Sequence, residues 1–478
     1  MNEIVMNEVV EVVEVVEVVA YGEDHPRPAD DRVPMILVIL DGLGDRAHDV
    51  LRDQTQPNGS PKTATEAAHT PVLDELAGRG QCGVHVPLGW GRAAASELAH
   101  WSLFGFHDIA FPGRSRLEAL GHGLSPEPGT LLLFGALRPS VVDDDGRIWI
   151  TGRVRRDEPE VAEELLRKVQ HFATDTHRFE LAILDRGEAI LTVHPRGSHR
   201  VAALTDTDPF FEHLHPMMAP QPLLPESPLS ETTGADGPAT AVALAAYLRW
   251  VRATLSGDPV NRARVAKGLP ALDTLTTKWA SVIAPVPSFA QIVGVRGAMV
   301  STSPFYRGLG KLLGMDTVAA VRGENSLAES LRSAIDLISA GAQFVHVHTK
   351  VTDEAGHSKD PFKKKAAVEW CDAQLAALLE PPFSNWVVAV TGDHATPASG
   401  GVLHTGDPTP FVVVAPSARR DGVASFGEDP CRAGLLGVLS ASDVLALMCS
   451  HANRPRFLGH RPSPYGTIAL PDDPKPFR

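Results

Sequence analysis

The chain has 478 residues, of which 43% are hydrophobic and 21% are charged, as in a globular protein that buries a large core. The net charge of −14 disfavours a nucleic-acid partner, because phosphate binding depends on clustered cations. No apolar run approaches the roughly 18 residues of a membrane span. The four cysteines are far apart and contain no Cys-x-x-Cys pair, so the sequence indicates neither a disulfide framework nor a zinc ribbon.

The N-terminal segment, residues 1–32, differs from the rest of the chain. Glu8, Glu11, Glu14 and Glu17 recur every three residues, a period that matches neither an α-helix nor a strand. The segment also lacks the basic start and the uninterrupted apolar stretch of a signal peptide. We therefore expect a low-complexity leader over residues 1–32 and a cytoplasmic protein.

Three short apolar runs, at 35–40, 344–348 and 386–391, are predicted to be strands that are buried on both faces, as in a parallel sheet. Helical patterns such as 362–379 lie between them, and this alternation predicts an α/β fold with crossover helices. Carboxylates follow the end of each run. Open α/β sheets bind ligands at that edge, so a functional site is expected there.

Aspartates and histidines are concentrated after these runs. Asp353 and His357 are four residues apart, a spacing that brings two side chains to one face of a helix. Mixed Asp/His sets suit divalent Mn, Zn, Co or Mg, and two ions need about six such ligands. Any one of these residues alone reads equally well as a turn or helix cap. Together they predict a two-metal site built from Asp41, Asp353, His357, Asp393, His394 and His404.

The segment 91–106, GRAAASELAHWSLFGF, predicts a helix that starts at Ser96. One interpretation is an ordinary N-cap serine. The other is a nucleophile at a helix N-terminus, where backbone N–H groups favour phosphate and a bound metal lowers the pKa of the hydroxyl. The local sequence leaves both interpretations open.

From about residue 35 to the end, the chain resembles the alkaline-phosphatase superfamily. Within it, the chain is most similar to the archaeal-type cofactor-independent phosphoglycerate mutases, which need no bisphosphoglycerate. The resemblance rests on eleven segments: MILVILDGLGDR (35–46), TPVLDELAGRGQCG (70–83), SELAHWSLFGF (96–106), FPGRSRLEALGHG (111–123), SHR (198–200), DTDPF (206–210), DPVNRAR (258–264), YRGLGKLLGM (306–315), HTKVTDEAGH (348–357), TGDHATP (391–397) and HTGDPTPFVVVAP (404–416).

The resemblance implies an alkaline-phosphatase-like α/β core, with a mainly parallel sheet flanked by helices, over residues 33–127 and 286–478. An inserted α+β substrate domain is expected over 128–285. One divalent ion would be held by Asp353, His357 and His404. The other would be held by Asp41, Ser96, Asp393 and His394, with Ser96 as the phosphoryl acceptor. The implied substrate-binding residues are Lys350, Arg307, Arg114, Arg153 and Arg200.

The implied activity is interconversion of 3-phosphoglycerate and 2-phosphoglycerate through a phosphoserine. Manganese is the expected metal, with magnesium, cobalt and zinc as alternatives, and the only expected partner is a small anionic phosphorylated substrate. Phe134 and Ala136 stand where the family usually carries Arg and Asn, and Leu272 stands where it carries Asn. These changes favour an alternative, transfer of a phosphoryl or phosphonyl group to another small carboxylate. A metal-dependent phosphomonoesterase is a further alternative, and the complete ligand set disfavours a non-catalytic binding protein.

Overall fold

A computed structural model of the protein describes residues 31–52, 59–209, 215–223 and 236–456. Almost all of the predicted leader, the end of the DTDPF segment and the chain beyond residue 456 lie outside the described residues. The strands, in chain order, are β1 (Met35–Leu40), β2 (Gln81–Val86), β3 (Leu131–Val142), β4 (Ile148–Ile150), β5 (His171–Ala173), β6 (His177–Ile183), β7 (Glu188–Pro195), β8 (His215–Pro216), β9 (Leu272–Val282), β10 (Gly297–Ser301), β11 (Asp316–Ala319), β12 (Phe344–Thr349), β13 (Val387–Thr391), β14 (Thr409–Val414) and β15 (Gly437–Ser440).

The helices alternate with these strands. The α-helices are Ala64–Ala67, Pro71–Arg79, Ser96–Leu103, Arg114–Gly121, Pro159–Arg167, Gly237–Ser256, Pro259–Ala266, Phe289–Val293, Pro304–Leu312, Ser326–Ser339, Val351–His357, Pro361–Gln374, Glu428–Arg432 and Ala441–His451. Short 3-10 helices span Asp49–Leu51, Ala376–Leu379 and Phe383–Asn385. The predicted helix 362–379 is therefore divided into an α-helix and a separate 3-10 turn.

The first sheet has eight strands in the order β11-β10-β12-β1-β13-β14-β2-β15. Most neighbours are parallel, which confirms the predicted fold class. Strand β14 runs antiparallel to β13 and β2. Two consecutive parallel strands usually need a crossover helix between them. No helix lies between β13 and β14, and β14 accordingly runs antiparallel to β13.

Strand β1 shows why the central run is continuously apolar. Its alternate residues contribute to two different hydrophobic clusters, with Leu37 and Ile39 in one and Ile36 and Val38 in the other. Because helices cover both faces of the sheet, both sets of side chains are fully buried. The central strands are thereby held rigidly, and so are the loops at their ends.

The second sheet is antiparallel, in the order β5-β6-β7-β3-β4-β8, and β9 also pairs with β3. It buries its own core against the helix Gly237–Ser256, with Leu133, Leu191 and Tyr247 among the buried residues. All of its strands lie between Leu131 and Val282, inside the interval 128–285. The limits of the insert stay a prediction.

Strands β12, β1 and β13 are neighbours and run in the same direction, so their carboxyl ends meet at one edge of the first sheet. Asp41, Lys350 and Gly392 are the first residues beyond these three strands. The four cysteines are free and buried. Among the described residues, no helix combines the length and apolar character needed to cross a membrane.

Candidate metal and nucleophile site

The structure brings the six predicted Asp and His side chains together in two groups, each with its ligand atoms within 4.8 Å of one another. Helix Val351–His357 places Asp353 and His357 on one face, as their spacing predicted. His357 Nε2 lies 3.2 Å from Asp353 Oδ1 and 3.4 Å from His404 Nε2. We call Asp353, His357 and His404 the first ligand group.

The second ligand group consists of Asp41, Asp393 and His394, all fully buried. His394 Nε2 lies 3.2 Å from Asp41 Oδ1 and 3.5 Å from Asp393 Oδ2. The two groups are adjacent, because the rings of His394 and His404 stack with their centroids 3.9 Å apart.

Gly42 makes the close approach of these loops possible. Its φ of +64° is readily adopted by glycine, and its N–H donates to Asp393 Oδ1 over 2.9 Å. A Cβ at this position would lie 2.5 Å from Thr396 Oγ1 and 2.8 Å from Asp353 Oδ1. The residue after Asp41 must therefore lack a side chain for the two ligand groups to meet.

Hydrogen bonds determine which ring nitrogen carries the proton in two of the histidines. The Thr396 hydroxyl donates to Asp353 Oδ1 (2.8 Å), so His394 Nδ1 must be the donor in its 3.2 Å contact with the same hydroxyl. His404 Nδ1 lies 2.8 Å from the carbonyl oxygen of Ala94, which can only accept. In the neutral rings, the Nε2 lone pairs of His394 and His404 therefore point into the ligand groups.

Two carboxylate oxygens, Asp41 Oδ1 and Asp393 Oδ2, are buried without a hydrogen-bond partner. A buried carboxylate oxygen left unpaired is costly unless a cation compensates it. The unpaired oxygens and the two Nε2 lone pairs form a donor set that fits divalent metal ions.

The electrostatic field of the site favours positive charge. Burial and the charge of Asp41 raise the pKa of Asp393 to about 8. Burial opposes protonation of His394, yet Asp393, Asp41 and Asp353 raise its pKa to about 9. Burial and the neighbouring His394 lower the pKa of His404 to about 4, which keeps its ring neutral and able to ligate.

Ser96 is the first residue of helix Ser96–Leu103, as predicted, but it is not the N-cap. Ala95 occupies that position, and no side chain caps the helix. The Ser96 hydroxyl instead lies 2.9 Å from His394 Nε2. The N-cap interpretation is therefore wrong, and the hydroxyl adjoins the second ligand group.

Of the two predicted substrate-binding residues Lys350 and Arg307, only Lys350 contacts the ligands directly. Its ammonium lies 3.3 Å from Asp41 Oδ2 and 3.1 Å from Asp353 Oδ2. The Arg307 guanidinium donates hydrogen bonds to the backbone carbonyls of Ser301 and Thr302. Within the described part of the chain, it forms no hydrogen bond or ion pair with either ligand group.

The Arg114 side chain contacts both the helix that begins at Ser96 and strand β9 of the second sheet. Its guanidinium forms ion pairs with Glu97 (3.3 Å) and Glu118 (3.2 Å) and lies 4.0 Å from the ring centroid of Trp279 on β9. Since Glu97 follows Ser96, this contact connects the start of the Ser96 helix with the second sheet.

The remaining predicted cations belong to the second sheet. The side chain of Arg153 is exposed, and its charge acts on Arg138 and Glu188. Arg200 is also exposed and is held through its backbone N–H, which donates to Asp236 Oδ2.

Sequence reasoning missed Lys278, which is only 3% exposed and has its ammonium 4.4 Å from the ring centroid of Trp279. Burial and the charge of Arg138 lower the pKa of Lys278 to about 8. Trp279 has a φ of +59°, and its N–H donates to Asp206 Oδ1 over 2.8 Å. The only sequence signal was a lysine inside the run TLTTKWASV.

The altered family positions do not share one environment. Phe134 and Ala136 are buried in an apolar cluster, where the ring of Phe134 lies 5.0 Å from that of Trp279. Leu272 is 1% exposed and packs in the separate core of the second sheet. Leu272 thus lies in a different cluster from Phe134 and Ala136, and the interpretation of the three changes as altered substrate contacts stays a prediction.

Known proteins of similar sequence are metalloenzymes, as the two ligand groups indicate. A family model described as the metalloenzyme superfamily matches residues 33–451. The 2,3-bisphosphoglycerate-independent phosphoglycerate mutase 2 of Methanocaldococcus jannaschii is 31% identical over 92% of this chain and 97% of its own length. The corresponding mutase of Ignicoccus hospitalis is 31% identical over 90% of this chain and 99% of its own length. The chain belongs to the family of 2,3-bisphosphoglycerate-independent phosphoglycerate mutases, within the metalloenzyme superfamily.

Solved structures agree with the family assignment. A protein from Pyrococcus horikoshii matches with a TM-score of 0.71 and 25% identity, covering 90% of this chain and 100% of that one. A cofactor-independent phosphoglycerate mutase from Thermoplasma acidophilum matches with a TM-score of 0.60 and 28% identity, covering 88% and 100%. Membership in a metalloenzyme superfamily implies divalent metal ions, and the two ligand groups supply a donor set for them.

Proposed function

We propose that this chain interconverts 3-phosphoglycerate and 2-phosphoglycerate without bisphosphoglycerate, through a phosphoserine at Ser96. The observation that carries this proposal is the Ser96 hydroxyl, 2.9 Å from His394 in the second ligand group and at the start of a helix. The names of relatives that align with nearly the whole chain support the same activity.

The chemistry requires an acceptor on the enzyme. The two hydroxyls of phosphoglycerate are neighbours, so they cannot both lie in line through phosphorus during a direct transfer. A covalent intermediate on Ser96 divides the reaction into two in-line steps, with reorientation of bound glycerate between them. The phosphoryl group first leaves the substrate oxygen for Ser96 and then returns from Ser96 to the other hydroxyl.

Asp353, His357 and His404 would hold one ion, and Asp41, Asp393, His394 and the Ser96 oxygen would hold the other. Two bound divalent ions supply positive charge that stabilises the transferring phosphoryl group and lowers the pKa of the Ser96 hydroxyl. Manganese is the proposed metal, because mixed carboxylate and imidazole donors suit it well; magnesium, cobalt and zinc remain compatible with the same donors.

Lys350 is proposed to bind the anionic substrate, with its ammonium held at the ligand groups by Asp41 and Asp353. Arg114 and Arg307 are proposed to contribute from helices of the predicted core, and Arg153 and Arg200 from the insert. Closure of the insert over residues 128–285 would exclude water, which would otherwise hydrolyse the phosphoserine.

A substrate screen tests the proposed function. Purified, manganese-loaded protein is mixed with 3-phosphoglycerate, and the formation of 2-phosphoglycerate is followed without added bisphosphoglycerate. Turnover that depends on the metal supports the mutase. Release of inorganic phosphate alone would instead identify a phosphomonoesterase.

A second candidate is transfer to another small carboxylate. The apolar contact between Phe134 and Trp279 favours it, because the resemblance implies polar residues at positions 134 and 136, and an apolar ring cannot bind an anion through hydrogen bonds. The same screen, extended to phosphonate and phosphoryl donors with small carboxylate acceptors, separates the two candidates.

Replacing Lys350 by alanine is expected to lower kcat/KM about 10- to 100-fold, because a charge-assisted hydrogen bond to the substrate is lost. Metal content should not fall, since the ammonium contacts the Oδ2 atoms of Asp41 and Asp353 and leaves the Oδ1 atoms that face the histidines. Steady-state kinetics and metal analysis measure both effects. Lys363→Ala, which removes an exposed lysine, is the matched control; unchanged kcat/KM in Lys350→Ala would contradict the proposed role.

Metal binding at the second ligand group is expected to strengthen on the order of 100-fold between about pH 7 and about pH 8.5, because two protons must be displaced. The metal-free protein retains protons at neutral pH, because its surroundings raise the pKa of Asp393 to about 8 and that of His394 to about 9. A metal ion must displace these protons, and fewer remain as the pH rises. Titration calorimetry in buffers of different ionisation enthalpy measures the affinity and the proton release. A pH-independent affinity without proton release would contradict this prediction.

A further inference from the structure

The two carboxylate oxygens of Asp41 have different surroundings. Oδ2 lies 2.9 Å from the Tyr306 hydroxyl, 3.1 Å from His348 Nε2 and 3.3 Å from the Lys350 ammonium. Oδ1 is equally buried and has no hydrogen-bond partner. One oxygen is therefore saturated with donors, while the other faces only the ring of His394 in the second ligand group.

Proton assignments sharpen this difference. His348 Nε2 faces a carboxylate oxygen, so it is the donor, and the Ser301 hydroxyl, 3.4 Å from Nδ1, is placed to donate to the other ring nitrogen. Oδ1 faces His394 Nε2 across 3.2 Å, and in the neutral ring that nitrogen carries a lone pair because Nδ1 donates to Thr396. Once the ring has given up its Nε2 proton, two electron-rich atoms face each other, an arrangement that a cation would stabilise in place of the proton.

The two donors to Oδ2 are held rigidly. Tyr306 and His348 are both almost completely buried, and their ring centroids are only 3.7 Å apart. Tyr306 belongs to the helix Pro304–Leu312, whereas His348 lies on β12 and is paired in register with Ile39 on β1, two residues before Asp41. Two separate elements therefore fix the orientation of the Asp41 carboxylate.

We propose that Tyr306 and His348 are positioning residues that make Asp41 a one-oxygen ligand, presenting only Oδ1 to the ion of the second ligand group. With Oδ2 occupied, the carboxylate cannot rotate to chelate through both oxygens. The second ligand group then keeps a coordination position for the Ser96 oxygen. This inference rests on the proposed two-metal site and adds two residues that do not touch the metal.

The chain offers a matched control. Tyr247 is also completely buried, and its hydroxyl also donates one hydrogen bond of 2.9 Å. Its acceptor, however, is the backbone carbonyl oxygen of Val169, in the core of the second sheet. Tyr306→Phe and Tyr247→Phe each remove one buried hydroxyl and one hydrogen bond of the same length. They differ in what the hydroxyl reaches: that of Tyr306 donates to Asp41 and also interacts with Ser96. The His348 variants, which remove a donor to Asp41 only, therefore decide whether the effect depends on Asp41.

The test is a Mn²⁺ titration of the metal-free full chain, followed by electron paramagnetic resonance. Wild-type protein and Tyr247→Phe should bind two ions and show the spectrum of a coupled pair. Tyr306→Phe should bind one ion normally and the other at least about tenfold more weakly. His348→Leu should show the same selective loss, and His348→Gln, which keeps an N–H donor, should recover most of the affinity. Thermal unfolding verifies that each variant is folded.

The outcomes separate the inference from the proposed function. If wild-type protein binds two ions and both Tyr306→Phe and His348→Leu bind them with wild-type affinity, the positioning role is overturned while the two-metal function stands. If both ions are weakened equally in Tyr306→Phe and in Tyr247→Phe, the effect is one of general stability and the inference is likewise overturned. If wild-type protein does not bind two ions, the proposed function and the inference fail together.

Discussion

Replacing Ser96 by alanine is expected to lower mutase turnover by about 10³-fold or more, because the phosphoryl group loses its acceptor. The fold and the first ligand group should be retained, since the Ser96 side chain caps no helix and the first group lacks this residue. Acid quenching of the wild-type enzyme with labelled phosphoglycerate should trap the label on the peptide that contains Ser96. The variant should trap none.

Ser102→Ala is the control for this experiment, because Ser102 lies in the same helix, Ser96–Leu103, and belongs to neither ligand group. It should retain wild-type turnover and labelling. If Ser96→Ala turned over at the wild-type rate, the phosphoserine mechanism at Ser96 would be eliminated, and a different group on the enzyme would have to accept the phosphoryl group.

Replacing His404 by alanine is expected to lower metal content from two ions to about one and to reduce turnover by more than about 100-fold. His404 Nε2 lies 3.4 Å from His357 Nε2 and 3.7 Å from Asp353 Oδ1, so its loss opens one side of the first ligand group. Metal analysis of the dialysed protein and turnover at saturating Mn²⁺ measure the two effects.

His171→Ala removes an exposed histidine of the second sheet and should change neither quantity. A His404→Ala protein with two tightly bound ions would show that His404 is not a ligand. Loss of both ions in the variant would show instead that the two ligand groups bind metal as one unit.

Much of the core could be predicted from the sequence. The run at 35–40 predicted a strand buried on both faces, and β1 has these bounds because each of its side chains enters one of two hydrophobic clusters. The four-residue spacing of Asp353 and His357 predicted a shared helical face, and helix Val351–His357 provides it. These features depend on local periodicity, which a sequence shows directly.

The roles of the basic residues could not be predicted in the same way. Lys350 and Arg307 were expected to behave alike, yet only Lys350 reaches the ligand carboxylates, while Arg307 donates to nearby backbone carbonyls. Long, flexible side chains find their partners through tertiary packing. Lys278 was overlooked for the same reason, because Arg138, which together with burial lowers its pKa, lies on β3 and comes near Lys278 only when β3 and β9 pair.

The sequence by itself determined the elements and the ligand types: apolar runs that end in Asp and His, and a helix that starts at Ser96. The tertiary structure decided how they combine. Strands β12, β1 and β13 lie side by side, so ligands from distant parts of the chain meet at one edge of the sheet. Packing of Tyr306 and His348 against Asp41 distinguishes its two oxygens, because hydrogen bonds across such distances in sequence exist only after the sheet and its helices have assembled.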